Sequence, residues 1–60
     1  MNHLAQTIKN LYADGNEKLW NVISDLTQNQ LMDVILQLDE VKDYELVNFL
    51  YDNLEYCAEV

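Results

Sequence analysis

A chain of 60 residues has room for one domain. At that size only roughly 60% of the surface exposed by the unfolded form is buried, so help from outside the core is expected. Eleven acidic residues against three lysines give a net charge of −8. Such a charge repels phosphate backbones and anionic membrane surfaces and argues against direct binding to either. Half of the residues are hydrophobic, too many for a disordered acidic tail.

Cys57 is the only cysteine, so no internal disulfide can form, and a lone thiol fits a reducing compartment. No basic, apolar leader opens the chain and no apolar run exceeds three residues. Neither a signal peptide nor a membrane span is therefore expected. The expected location is the cytoplasm, or the host cytoplasm if the chain is viral.

With no proline and one glycine, the chain lacks the turn residues that several short strands need, and its apolar residues recur at spacings of three and four. This predicts an all-α fold, a small bundle of four short helices over about 2–13, 17–26, 28–38 and 44–57, forming a single helical domain over 1–60.

The first helix places Leu4, Ala5, Ile8, Leu11 and Tyr12 on one face, and Asp14-Gly15-Asn16 ends it, glycine taking the left-handed conformation common at helix ends. Asn16 is the expected cap of the second helix, which buries Leu19, Val22, Ile23 and Leu26 with Trp20 at the edge of that face. Thr27-Gln28-Asn29-Gln30 has the form of a capping box and starts the third. That helix carries Leu31, Val34, Ile35 and Leu38 in one narrow stripe. A break is expected across Asp39-Glu40-Val41-Lys42-Asp43, followed by the last helix.

Two helices carry more apolar surface than one neighbour covers. Met32 and Leu36, spaced i and i+4, form a second ridge on the third helix. On the last helix Leu46, Val47, Leu50, Tyr51, Leu54 and Ala58 share a broad arc, while Phe49 and Tyr56 point outside it. Helices central in the bundle would account for this by touching two neighbours each. The favoured expectation is a homodimer in which Trp20, Met32, Leu36, Phe49 and Tyr56 form ridges against a second copy, or failing that against a partner protein.

The charge is uneven. Residues 1–24 carry Asp14 and Glu17 against Lys9 and Lys18, whereas 25–60 carry the other nine acids against Lys42 alone. On a helical wheel of about 100° per residue, Glu45, Asp52, Glu55 and Glu59 fall within about 80° of one another. Asp39, Glu40 and Asp43 extend this acidic face at the helix start. A polar face is what any amphipathic helix needs, but one built for helix stability alone would commonly interleave lysines. The unmixed sign points to a basic partner protein.

Chemistry is sparse. His3 lies near one end of the chain, Cys57 near the other, and Ser24, the single serine, has no recognisable base beside it. Residues 39–45 lack the glycine and the terminal glutamate of a calcium loop. The helix-turn-helix outline of 19–38 offers no arginine or lysine to hold a DNA backbone. No catalytic residue, metal site or cofactor is expected.

In size and charge the chain resembles the small acidic inhibitors that phages and mobile elements use against host nucleic-acid-handling machinery, some of which mimic DNA. The resemblance implies a non-enzymatic inhibitor or modulator, here an anti-defence protein whose acidic face occupies a basic nucleic-acid-binding surface. The alternative is a small adaptor or antitoxin-like regulatory module that binds through its apolar ridges.

Overall fold

A computed structural model describes residues 2–57. Four helices follow in order: α1 (His3–Asp14), α2 (Lys18–Asp25), α3 (Gln28–Glu40) and α4 (Tyr44–Asp52), with a short 3₁₀ turn at Leu54–Tyr56. None of them is long and apolar enough to cross a membrane.

Three of the four starts have a local cause, while Asp43 precedes α4 without a side-chain cap bond. Asn2 Oδ1 accepts from the Ala5 N–H at 2.9 Å and caps α1. Asn16 Oδ1 accepts from the Lys18 N–H at 2.9 Å and turns the chain into α2. The capping box of α3 is complete: the Gln30 N–H donates to Thr27 Oγ1 at 3.2 Å, and the Thr27 N–H donates to Gln30 Oε1 at 2.9 Å. Such a cap is worth about 1 kcal/mol.

Two of the ends share one geometry. At Gly15, with φ 65°, the chain turns left-handed. The Gly15 N–H then donates to the Tyr12 carbonyl at 3.1 Å and the Asn16 N–H to that of Leu11 at 3.0 Å. Helix α3 stops in the same way, although Lys42, at φ 61°, sits where glycine would be expected. Its N–H reaches the Asp39 carbonyl at 3.0 Å, and that of Asp43 reaches Leu38 at 3.0 Å. The expected break is thus real but begins later, and α3 runs on to Glu40.

The last helix departs most from expectation. It ends at Asp52, short of residue 57. The Asn53 side chain donates Nδ2–H to the Phe49 carbonyl at 2.7 Å, and its backbone N–H goes to Leu50 at 3.1 Å. Those carbonyls are thereby satisfied and the chain leaves the helical path. The 3₁₀ turn then returns toward the start of α3, where Gln28 Nε2 donates to the Leu54 carbonyl at 3.4 Å.

Helix α3 is central, packing against α1, α4 and the 3₁₀ turn. Its stripe of Leu31, Val34, Ile35 and Leu38 is buried together with Ala5 and Ile8 of α1, Leu19 and Ile23 of α2, and Leu46, Val47 and Leu50 of α4. Cys57 closes the end of this core. Met32 is half-buried against the same cluster because α3 has neighbours on more than one side. The accessible surface, 4070 Å² for 7.1 kDa, is close to the roughly 4,100 Å² of a folded monomer of that mass. One chain therefore closes the core, and on α3 it is Leu36, 58% exposed, that is left facing outward.

The two left-handed turns give a paired test by urea unfolding. A side chain at Gly15 meets no neighbouring atom, so the cost of Gly15→Ala is conformational and should lower stability by about 1–2 kcal/mol. Lys42→Gly relieves the same strain and should raise stability by up to about 1 kcal/mol. Equal effects of one sign at both positions would contradict the common geometry.

Candidate interaction surface

Three of the five ridge residues come together. Trp20 of α2 and Phe49 of α4 have ring centroids 5.7 Å apart, tilted by 59°. Trp20 also meets Tyr56 of the 3₁₀ turn edge-on at 6.0 Å. Tyr12 completes the group, 5.0 Å from Phe49 at 50°. These are favourable tilted arrangements for aromatic quadrupoles.

The cluster corrects two placements. Phe49 does not point away from the molecule but is half-buried, because α1 and α2 deliver Tyr12 and Trp20 to that side of α4. Tyr51, expected within the buried arc, is 49% exposed. Trp20 and Tyr56 remain open to solvent at 45% and 57%. Met32 and Leu36, on α3, take no part in these ring contacts.

Beside the cluster lies a groove of about 220 Å³, walled by Leu11, Tyr12, Gly15, Asn16, Glu17, Leu19, Trp20 and Phe49. The left-handed turn at Gly15 makes it, by folding the start of α2 back beside the end of α1. Tyr12 and Glu17 were not read from the sequence as site residues. The Asp-Gly-Asn turn between two helices was the signal that their ends would be brought together.

The acidic residues do not form one helical stripe. Glu45 and Asp52 share a face of α4, two turns apart and roughly 10 Å along the axis. Glu55 is off that helix, exposed on the 3₁₀ turn, because α4 has already ended. Glu59, like Ala58, lies outside the described residues. Asp39 and Glu40 are exposed at the end of α3. Asp43 is half-buried and pairs with Lys9 at 3.8 Å. Glu45 accepts a hydrogen bond from the Tyr12 hydroxyl at 3.3 Å.

A different regularity organises the charge. Every helix ends on an acid, Asp14, Asp25, Glu40 and Asp52 in turn, and none carries a basic residue in its last turn. A helix C-terminus bears about half a negative charge, so each carboxylate is unfavourable to the helix it ends by about 0.3–1 kcal/mol at low ionic strength. For Asp14, Asp25 and Glu40 the positive start of the next helix offsets part of this, whereas Asp52 is followed only by the 3₁₀ turn. The 3.8 Å Lys9–Asp43 pair is partly exposed on both sides, and surface pairs of this kind return at most about 1 kcal/mol.

The nucleophile candidates are dispersed. Ser24 Oγ donates to the carbonyl of Trp20 at 2.6 Å within its own helix. Cys57 is buried and His3 is exposed. Among the described residues no three His, Cys, Asp or Glu side chains converge as metal ligands would. Comparison with protein-family models, with curated proteins and with solved structures finds no match.

Two groups titrate late. Burial, then the Glu45 carboxylate and the hydrogen bond to it, and lastly Asp43, push the Tyr12 phenol above its ordinary 10.0. Burial pushes the Cys57 thiol above 9.0. In both cases the unfolded chain releases its proton first, so what these two groups contribute to stability is level below about pH 9 and falls above it. Urea unfolding between pH 8 and 11 should show this decline, and Tyr12→Phe should make it shallower above pH 10.0. A stability that rises with pH over that range would contradict the assignment.

Proposed function

We propose that this protein is a non-enzymatic binding protein that occupies a basic surface of another protein. The observation that carries the reading is the acid at the end of all four helices with no base in any last turn. Each carboxylate opposes the dipole of the helix it ends, and the excess of negative charge repels itself, so the arrangement adds little to the stability of the isolated chain even where the start of the next helix offsets part of the cost. A partner rich in lysine and arginine supplies the positive charge that the helix ends lack, and the complex gains electrostatically what the free protein forgoes.

The proposal differs in shape from a single phosphate-like row. The carboxylates are distributed over the helix ends, with Asp39 and Glu40 at one end of the α3–α4 pair and Asp52 and Glu55 at the other. Basic surfaces of this extent are typical of proteins that hold nucleic acid. Occupying one excludes the nucleic acid, which makes inhibition or modulation the functional consequence.

A second reading is favoured by the exposed aromatics. Trp20 and Tyr56, beside half-buried Phe49, form an apolar surface of the kind that anchors protein interfaces. An adaptor or antitoxin-like module would use this patch, with Leu36 available for a second copy of the chain.

Calorimetric titration with an arginine- and lysine-rich peptide separates the two. The acidic reading expects affinity to fall steeply as salt rises, and the double change Asp52→Lys with Glu55→Lys to weaken binding at least tenfold. Binding that ignores both salt and charge reversal, yet is lost in Trp20→Ala, would replace it with the apolar module.

A further inference from the structure

We infer that the groove between the end of α1 and the start of α2 receives an arginine side chain of the basic partner. The inference rests on the reading above and names the point at which the partner is gripped. With a volume of about 220 Å³, the groove falls below the roughly 300–1,000 Å³ of small-molecule pockets and suits a single side chain better than a free ligand.

Its walls favour a planar cation in two independent ways. Tyr12, Trp20 and Phe49 line it with aromatic rings, and a guanidinium within about 6 Å of such ring centres is attracted to their faces. Glu17 is the one charged residue along the described wall, and it offers the two oxygens that match the guanidinium fork.

The rings are held in place before anything binds. The Tyr12 hydroxyl donates to Glu45 at 3.3 Å, and Phe49 is wedged between Tyr12 and Trp20 at 5.0 and 5.7 Å. A preset site of this kind loses little side-chain freedom on binding. Arginine is favoured over lysine because it stacks on rings and forks onto a carboxylate at once, whereas an ammonium is a more strongly hydrated point charge.

Trp20 is the only tryptophan, so its emission reports on this groove. The probe is a blocked tri-arginine peptide, compared with tri-citrulline, which has nearly the same shape and no charge. At low salt tri-arginine should change the emission saturably and tri-citrulline should not. Glu17→Gln, an exposed and conservative change, should raise the apparent Kd at least fivefold, and Phe49→Leu, with its fold checked by circular dichroism, should do likewise. If calorimetry shows tri-arginine binding with unaltered affinity to Glu17→Gln, or if citrulline gives the same emission change, the groove is not the arginine site and only the broader acidic reading stands. If tri-arginine does not bind at all, that broader reading fails with it.

Discussion

The burial of one helix among its neighbours is what the rest of this molecule depends on. Leu31, Val34, Ile35 and Leu38 of α3 are essentially inaccessible to solvent, and each buried leucine or isoleucine contributes about 1.5–3 kcal/mol relative to its exposed state. Against this stripe α1 lays Ala5 and Ile8, and α4 lays Leu46 and Leu50. With no disulfide to restrict the unfolded chain, this single core has to offset the ordering entropy of every residue it fixes. The capping box at Thr27 and the left-handed stop at Lys42 matter because they set where the stripe begins and ends.

The placement of α3 explains the surface as well as the interior. Since α1 and α4 both rest on it, the end of α1 is carried to the flank of α4, and Tyr12 arrives beside Phe49 and Glu45. The turn at Gly15 then brings Trp20 back to the same place. The aromatic group and its groove thus follow from core packing and one glycine. The acidic helix ends do not follow from packing at all. Against the helices they end they cost at most about 4 kcal/mol in total, before the offset from the following helix starts, a share that matters against the 5–15 kcal/mol by which domains are usually stable. Local choices that oppose the fold's own stability tend to mark functional surfaces.

Much of the fold was legible where side chains act on their own backbone. Gly15 and the Thr27–Gln30 pair act within four residues and do in the structure what their types imply, whereas Asn16 turns the chain toward Lys18 from one residue before the cap position, which Glu17 holds without a side-chain bond. The stripe of α3 was legible because it repeats with the helical period. The end of α4 was harder. An apolar pattern continues through Leu54, and only Asn53, a residue suited to helix ends, signals that the backbone leaves the helix there. Glu55 therefore leaves the stripe that a helix running on to residue 57 would give it. Lys42 gave no signal, since a lysine in left-handed geometry is imposed by the packing on both sides of the turn. The groove was illegible for another reason: Tyr12, Glu17 and Phe49 lie on three different elements, and no single-helix wheel can bring them together.

The central claim is that the charge of this protein works against its own fold and is held for a partner. The most direct test is its unfolding free energy in urea as sodium chloride is raised from low to moderate concentration near neutral pH, with Asp52→Asn, at the helix end that no further α-helix follows among the described residues, measured alongside. The account predicts that stability rises with salt, as screening relieves the self-repulsion, and that Asp52→Asn is more stable than the parent by about 0.3–1 kcal/mol at low salt, the difference shrinking as salt increases. Stability that falls with salt, together with a destabilised Asp52→Asn, would show that the carboxylates serve the fold itself and would contradict the account.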